Sequence, residues 1–224
     1  MNIVFKENIL RFITSMILGG CFWIVFFYLP NTAFAYMLFG ILIAILTVEW
    51  KNIFNLNNFW FWFIMPWYPI LPFAMMIYMS NIPCYRTLIY YLFVIVFSFD
   101  STAYIVGKLL GFRKIVPHIS PGKTVEGFIG GFLGAFIAFY MAIRYQGVTI
   151  THHKIFIITL IVCCIAFAGD VFESFLKRQA NIKDSGVILP GHGGFLDRFD
   201  AVIFAAYFFF LFRDELVKIF CIVI

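Results

Sequence analysis

Long apolar stretches alternate with short polar links along almost the whole chain. An apolar stretch of about 18–20 residues can cross the hydrocarbon core of a bilayer as an α-helix. The pattern therefore predicts membrane-spanning helices at residues 12–29, 32–48, 59–79, 87–106, 126–143, 155–172 and 199–212. The predicted fold class is all-α, a polytopic transmembrane helical bundle of about seven to eight spans.

The third apolar stretch, residues 59–79, leaves the number of spans open because it contains Pro66, Pro69 and Pro72. Proline removes a backbone donor and clashes with the preceding helical turn. The stretch is therefore interpreted either as one kinked span or as a re-entrant pair of shorter helices. The second alternative would give an eighth span.

Composition supports a membrane protein, since 63% of the 224 residues are hydrophobic and only 12% are charged. Soluble domains have about 45–50% apolar and about 25% charged residues. The net charge of +5 is not arranged as a basic stripe on a soluble surface, so nucleic-acid binding is not predicted. The five Cys have no metal-binding spacing and are interpreted as packing residues.

The placement of basic residues predicts the orientation of the chain, because Lys and Arg mark cytoplasmic loops. It places the N-terminus in the cytoplasm and the basic links 108–123 and 177–183 on that same side. The first span is expected to be retained and not cleaved as a secretory signal, because a second apolar stretch follows at once.

Residues 170–200 break the apolar pattern, since they hold five of the chain's 11 acidic residues and four of its 16 Lys and Arg. Helical spacing brings five polar residues onto one face at the end of the sixth span, namely Asp170, Glu173, Ser174, Lys177 and Arg178. Ionisable residues at membrane depth are costly and usually face a water-filled cavity or the bundle interior. The simpler alternative is an ordinary helix end with salt bridges, for which Glu173 and Lys177 have suitable spacing.

The rest of this charged stretch combines a turn, Lys183 and Asp184, with a glycine-rich loop at 190–194 and two carboxylates, Asp197 and Asp200. Glycine lets a backbone approach a ligand closely and present its amides to an anion. Carboxylates are suitable ligands for Mg²⁺, and nearby Lys and Arg neutralise phosphates. The combination predicts metal-assisted phosphoryl or nucleotidyl transfer.

A second polar cluster lies upstream of the charged stretch. Its first part is a predicted helical face with Asp100, Tyr104 and Lys108. Its second part is the link before the fifth span, where Ser120 and Thr124 are candidate helix caps. Capping and substrate contact are compatible at these positions.

These residues resemble the phosphatidate cytidylyltransferase family, whose members are also called CDP-diacylglycerol synthases. Residues 174–200 are similar to the family signature along their whole length, and residues 100–107 and 120–127 are similar to its other motifs. The signature positions are Ser174, Lys177, Arg178, Lys183, Asp184, Gly186, Pro190, His192, Gly193, Gly194, Asp197, Arg198 and Asp200.

The resemblance implies that phosphatidate and CTP react with Mg²⁺ present to give CDP-diacylglycerol and pyrophosphate. A second, monovalent cation is left open. The metal-binding carboxylates it implies are Asp170 and Asp197, with Glu173 and Asp200 as supporting candidates. The expected catalytic residues neutralise phosphates or orient the groups that neutralise them. They are Lys177, Arg178, Lys183, Asp184 and Arg198. The expected substrate-binding residues are Asp100, Ser101, Tyr104, Ser120, Lys123, Thr124, Glu126, Ser174, His192, Gly193 and Gly194.

The expected partners are CTP, phosphatidate, the bilayer and a second copy of the chain, with no nucleic acid. A homodimer follows from the resemblance and from the small-residue face of the fifth span. One integrated membrane domain is expected, in which residues 1–86 supply N-terminal spans and residues 87–224 form the catalytic part. The expected location is a bacterial inner membrane with the active site facing the cytoplasm.

Two alternatives remain at this point. A related CTP-dependent enzyme could act on another lipid phosphate or on a lipid alcohol. An ion-coupled transporter could also contain buried carboxylates, but it would place isolated charges near the middle of the membrane and often shows internal repeats. Here the charges cluster beside a glycine-rich loop and no repeat is visible.

Overall fold

The computed structural model describes residues 3–54, 58–189 and 193–220. Its helices in chain order are α1 (Ile3–Phe27), α2 (Asn31–Ala44), α3 (Trp50–Ile53), α4 (Phe59–Ile64), α5 (Leu71–Ser80), α6 (Pro83–Leu110), α7 (Val125–Tyr145), α8 (His152–Gln179), α9 (Leu196–Leu211) and α10 (Arg213–Ile219). Two π-helical segments, Ile45–Glu49 and Pro66–Ile70, lie between α2 and α3 and between α4 and α5.

Five helical runs in the described residues are long and apolar enough to cross a membrane. They are Asn31–Ile53, Phe59–Ser80, Pro83–Leu110, Val125–Tyr145 and His152–Gln179. The chain is therefore an integral membrane protein of the all-α class, as predicted. The apolar part of α1, Met16–Phe27, and the 16-residue helix α9 are shorter. The predicted number of about seven to eight spans is thus not confirmed.

The chain forms two compact units. The first unit consists of Met1–Asn81 and Leu176–Phe199, and the second consists of Ile82–Phe175 and Asp200–Ile224. Both units are discontinuous because α8 and α9 each contribute residues to both of them. The functional division expected between residues 86 and 87 stays a prediction.

In the first unit, α2 packs against α5 and α1. Phe34 and Leu38 on α2 are completely buried, as are Phe73 and Met76 on α5. Burying large apolar side chains stabilises such a contact because it removes them from water or lipid and fills the interior with close-packed atoms. The core of this unit therefore lies between these two helices.

The proline-rich stretch is a single helical run, Phe59–Ser80, and not a re-entrant pair. Pro66 and Pro69 lie in the π segment, where the wider turn lets the Ile70 amide donate to the Met65 carbonyl at 3.3 Å. Pro72 lies in the first turn of α5, a position at which a missing amide is tolerated. Of the two sequence interpretations, the single helical run is the one observed.

In the second unit, α6 packs along the glycine-bearing face of α7. A Cβ atom on Gly130 would come within 2.5 Å of Val106, and one on Gly131 within 2.8 Å of the Ala103 side chain. Small residues allow helix backbones to approach this closely. The predicted small-residue packing face is confirmed, and its contact is with another helix of the same chain.

A short antiparallel sheet lies between α6 and α7, which the hydropathy pattern did not predict. Strand β1 (Lys114–Val116) pairs with β2 (Ser120–Thr124), with Lys114 opposite Thr124 and Val116 opposite Ser120. The strands are short and mostly exposed, so they carry no alternating apolar signal. This hairpin positions Lys123 in the second unit.

Candidate active site

The predicted site residues fall into clusters within each compact unit. In the second unit, the Nζ atom of Lys123 lies 2.6 Å from Oδ2 of Asp170 on α8. The same Nζ lies 4.9 Å from the ring centroid of Phe167, so the ammonium also rests over an aromatic face. The Asp170 side chain is 38% exposed, whereas that of Lys123 is 12% exposed. This ion pair is therefore accessible from its acidic side.

Further carboxylates of the second unit lie around Asp200. Glu173 and Asp200 are buried, and the carboxyl of Asp200 experiences repulsion from Asp170, Glu173 and Asp100. Helix α8 approaches α9 closely here, since a Cβ on Gly169 would lie 2.7 Å from the Asp200 carbonyl oxygen. Several like charges in one region are unfavourable unless cations compensate them. The arrangement therefore concentrates negative charge beside one lysine.

This carboxylate cluster fits a hard divalent cation by the chemistry of its donors. Its ligating atoms are all carboxylate oxygens, which is the donor type that Mg²⁺ takes together with substrate phosphates. Among the described residues, no group of three or more His, Cys, Asp or Glu is already arranged to hold a metal ion. The cluster thus supplies suitable donors and excess negative charge, and it has no completed coordination shell.

The start of α7 confirms Thr124 as a helix cap, whereas the other candidate cap, Ser120, is wrong because it begins strand β2. Thr124 is buried, and its hydroxyl oxygen accepts a hydrogen bond from the Gly127 amide at 3.1 Å. Glu126 Oε2 accepts from the backbone amides of Phe112 and Arg113 at 3.0 and 3.1 Å. Both predicted substrate-binding residues therefore also shape the chain between α6 and α7.

The remaining upstream candidates lie on α6 and β2. Asp100 and Ser120 are half-buried, whereas Ser101 and Tyr104 are exposed. The Lys108 ammonium lies 5.7 Å from the Tyr104 ring centroid, which confirms that these two residues share a helical face. Their contact with substrate stays a prediction.

In the first unit, the carboxylate of Asp197 at the start of α9 is surrounded by donors. It accepts from Lys177 Nζ at 2.7 Å, from the Ser185 amide at 2.9 Å, from the Ser185 hydroxyl at 2.9 Å and from the Gly194 amide at 2.7 Å. Its side chain is 5% exposed. Burial alone would raise the pKa of Asp197, but the Lys177 charge and these hydrogen bonds hold that pKa below its ordinary value.

The local backbone explains why glycine precedes Asp197. Gly193 has a φ of +78°, which lies in the left-handed region that favours glycine. A Cβ there would lie 2.6 Å from Asp197 Oδ2. The Leu189 amide donates to the Gly193 carbonyl at 2.9 Å. His192, another substrate-binding candidate, lies outside the described residues.

Four of the five predicted catalytic residues in the first unit are exposed, namely Arg178, Lys183, Asp184 and Arg198. Arg178 donates to the Ile182 carbonyl at 3.1 Å. Lys177 is instead only 12% exposed and is paired with Asp197. In the second unit, Ser174 is buried and its hydroxyl lies 3.4 Å from Asp170, a long contact.

Sequence reasoning missed Glu49, the last residue of the π segment Ile45–Glu49. It is completely buried in the first unit, where its two carboxylate oxygens accept from the amides of Phe195 and Leu196 at 2.7 Å each. In the sequence it appears as an ordinary charged end to an apolar span. The one sequence feature that could have indicated a role for Glu49 was the position of its carboxylate directly after an apolar stretch.

The fold and the two charged clusters define the class of protein as an integral membrane protein with an ionisable site. A sequence model of the cytidylyltransferase family matches residues 5–215 of the chain. The chain therefore belongs to the cytidylyltransferase family.

Several bacterial proteins that are similar to this chain are named phosphatidate cytidylyltransferase. The phosphatidate cytidylyltransferase of Bacillus subtilis (strain 168) is 43% identical over 178 residues, which are 77% of this chain and 65% of that protein. The phosphatidate cytidylyltransferase of Haemophilus influenzae is 37% identical over 131 residues, which cover 55% of this chain and 46% of that protein. That of Staphylococcus saprophyticus is 43% identical over 116 residues, covering 52% and 45%. The chain thus spans between about half and two thirds of the length of these relatives.

Proposed function

We propose that this chain transfers CMP from CTP to phosphatidate and forms CDP-diacylglycerol and pyrophosphate in phospholipid biosynthesis. The observation that carries the proposal is the 43% identity over 178 residues to a protein named phosphatidate cytidylyltransferase. The resemblance of residues 174–200 to the signature of that family supports the same activity.

In the proposed reaction, an oxygen of the phosphatidate phosphate attacks the α-phosphorus of CTP. The bond from that phosphorus to the oxygen bridging the β-phosphate breaks, and pyrophosphate leaves with the bonding electrons. A phosphate monoester has a second pKa of about 6, so the attacking group is largely anionic near neutral pH. The chain therefore needs no general base, and its tasks are to bind, orient and neutralise the phosphates.

The basic residues suit these tasks in two ways. Arg178, Lys183 and Arg198 are exposed and can bind phosphate oxygens directly. Lys123 and Lys177 are each held by an aspartate, so their ammonium groups are fixed in position before a ligand arrives. Fixed charges stabilise developing negative charge better than mobile ones, because they need not reorganise during the reaction.

The proposed cofactor is Mg²⁺. Its candidate ligands are Asp170, Glu173 and Asp200 in the second unit and, considered separately, Asp197 in the first unit. When bound, Mg²⁺ would neutralise charge on the triphosphate and on the leaving pyrophosphate. Asp170 is the accessible member of this set, since its side chain is 38% exposed. A second, monovalent cation also belongs to the proposal.

The proposed location is a bacterial inner membrane, with the site at the cytoplasmic face. CTP is a cytosolic solute and phosphatidate stays in the bilayer, so a site at that face is where the two can meet. A homodimer is also proposed, on the resemblance to the family. The glycines of α7 do not support it, because they contact α6.

The test uses purified protein in phosphatidate-containing nanodiscs with Mg²⁺ and CTP labelled at either the α- or the γ-phosphate. We expect lipid-bound label from the α-labelled CTP only, together with release of pyrophosphate. Parallel discs contain a polyprenyl phosphate or diacylglycerol as the acceptor, and protein-free discs are the control.

Three outcomes would contradict the proposal. Lipid labelling from γ-labelled CTP with diacylglycerol would indicate a CTP-dependent lipid kinase. Faster CMP transfer to the polyprenyl phosphate than to phosphatidate would indicate a different lipid acceptor. Absence of lipid label under all conditions would contradict nucleotidyl transfer by this chain.

A further inference from the structure

The buried carboxylate of Glu49 receives its described hydrogen bonds from the segment that carries Asp197. The amides of Phe195 and Leu196 donate to its two oxygens at 2.7 Å, and the Ser185 hydroxyl lies 3.2 Å from Oε2. Burying a charged group is costly unless donors replace its hydration. The donors on this segment therefore stabilise the buried Glu49 carboxylate, and Glu49 in turn fixes the position of the segment.

Glu49 and Asp197 accept hydrogen bonds from three consecutive backbone amides. The Gly194 amide donates to Asp197, whereas the next two amides donate to Glu49. The Ser185 hydroxyl also lies between the two carboxylates, 2.9 Å from Asp197 Oδ2 and 3.2 Å from Glu49 Oε2. The position of the Asp197 carboxylate is thus tied to that of Glu49 through shared backbone and one shared hydroxyl.

Two glycines make room for the Glu49 side chain. A Cβ on Gly186 would lie 2.9 Å from Glu49 Cγ, and one on Gly194 would lie 2.5 Å from Glu49 Cδ. Neither glycine has a positive φ, since Gly147 and Gly193 are the described glycines that do. Gly186 and Gly194 therefore serve close packing against Glu49, in addition to any contact with substrate.

The helical segment that carries Glu49 makes a second side-chain contact with Ser185. Asn52, one turn further along in α3, donates from Nδ2 to the Ser185 carbonyl at 2.8 Å. The preceding π segment ends at Glu49, and π-helical turns inside α-helices frequently occur at functional sites. Two side chains of this segment thus hold Ser185.

We infer that Glu49 is a positioning residue, which fixes the turn around Ser185 and the first amides of α9 so that Asp197 and its partner Lys177 are held in place. The inference rests on the proposed function, because it assigns Glu49 a part in presenting Asp197 to the reaction. Glu49 acts through Asp197 and does not itself contact the substrates.

The test compares Glu49→Ala and Glu49→Gln with Thr47→Val as the matched control. Thr47 lies in the same π segment, is exposed, and its hydroxyl donates to the Ile43 carbonyl of its own helix. Amide hydrogen exchange is measured by mass spectrometry on nanodisc-embedded protein, for peptides that cover residues 193–197. Steady-state CMP transfer gives kcat and KM for CTP on the same preparations.

We expect Glu49→Ala to exchange these amides about tenfold faster or more than Thr47→Val, since two of them lose their acceptor. We expect kcat to fall about 100-fold, the effect of a small misplacement of a catalytic group, while KM for CTP changes by less than about threefold. Glu49→Gln retains one acceptor oxygen, so its exchange rate and its kcat should both lie between those of Glu49→Ala and the control.

The inference is wrong if exchange in Glu49→Ala equals that of Thr47→Val, or if exchange rises while kcat stays within about twofold of the control. If Glu49→Ala does not fold, Glu49→Gln is judged by the same two criteria. Failure of the proposed function gives a different result. The wild-type protein would then transfer no CMP, while the exchange measurement would still decide whether Glu49 holds the segment.

Discussion

The two compact units each contain a lysine–aspartate pair of nearly the same length, but the aspartates have different surroundings. Lys177 lies 2.7 Å from Asp197, and Lys123 lies 2.6 Å from Asp170. Asp197 also accepts from the backbone and the hydroxyl of Ser185 and has a 5% exposed side chain. Asp170 is 38% exposed, and its further described contact is the long one to Ser174. The distance within an ion pair therefore does not reveal its role.

The surroundings predict different energies for the two pairs. Removing one partner of a buried pair costs about 3–5 kcal/mol, because the other charge stays buried without compensation. Fully exposed pairs contribute only about 0–1 kcal/mol. Asp170 is 38% exposed but Lys123 is as buried as Lys177, so this pair lies between the two limits. We infer that Asp197 stabilises its segment, whereas Asp170 can exchange its lysine partner for a ligand at a lower cost than Asp197 could.

The largest effect is expected for Asp197→Asn, which should lose both stability and activity. The asparagine has no charge to offer the buried Lys177, and its amide group meets donors on several sides. We expect the free energy of unfolding to fall by about 3–5 kcal/mol. Thermal denaturation in detergent checks this, with Glu215→Gln as a control in the exposed pair with Lys218. An unchanged melting temperature would contradict a structural role for Asp197.

Asp170→Asn should lose activity with a smaller loss of stability than Asp197→Asn. We expect CMP transfer to fall by about 10²–10³-fold, as when one preorganised electrostatic group is removed from an active site. The melting temperature should fall less than that of Asp197→Asn, because the Asp170 side chain is 38% exposed and that of Asp197 is 5% exposed. Mg²⁺-dependent turnover and thermal denaturation are measured on the same preparation. Near-normal turnover would show that Asp170 does not serve the reaction.

A smaller effect is expected for Gly186→Ala, which tests how tightly Glu49 fits the first unit. The added methyl group would lie 2.9 Å from Glu49 Cγ, so we expect a destabilisation of about 1–3 kcal/mol. The matched control is Gly40→Ala, where a Cβ would meet nothing within 4 Å.

A double variant isolates this contact. The destabilisation caused by Gly186→Ala should largely disappear in a Glu49→Ala background, because the side chain that the added methyl group would meet is then absent. Thermal denaturation of the four chains in this cycle gives the coupling between the two positions. Additive destabilisation would contradict the contact.

The pH dependence of stability should give the smallest effect, and its sign follows from the lowered pKa of Asp197. A carboxyl group whose folded-state pKa is lowered stabilises the protein above its unfolded-state pKa of about 3.9, and this stabilisation is lost as pH falls through the folded-state value. The advantage of the wild-type protein over Asp197→Asn should thus be constant near neutral pH and shrink in acid. Melting temperatures of both proteins from neutral pH down to strongly acidic pH check this. If the difference in melting temperature between the two proteins stayed constant over this pH range, ionised Asp197 would not be the source of that difference.

The parts of the fold that depend on local sequence were predictable. The spans predicted at 87–106 and 126–143 lie inside Pro83–Leu110 and Val125–Tyr145, because a long apolar run is a local property of the chain. The cap at Thr124 was predictable for the same reason, since it involves an amide three residues away. The β1–β2 hairpin was missed because its short exposed strands leave no periodic signal.

The parts of the site that depend on distant contacts were not predictable. The spacing on α8 suggested Glu173 as a partner for Lys177, whereas the structure pairs Lys177 with Asp197, which lies 20 positions along the chain. Glu49 meets Leu196 across 147 positions. Helical spacing contains no information about such contacts, so the sequence showed which groups carry charge and not which of them meet.

The glycine face of α7 also bears on the order in which the protein can assemble during synthesis. Val106 and Ala103 on α6 fill the space that side chains on Gly130 and Gly131 would need. Since α6 and α7 are consecutive helices, both halves of this interface leave the ribosome before α8 does. The α6–α7 hairpin is therefore the earliest part of the second unit that can form in the bilayer, before the acidic residues of α8 and α9 are added to it.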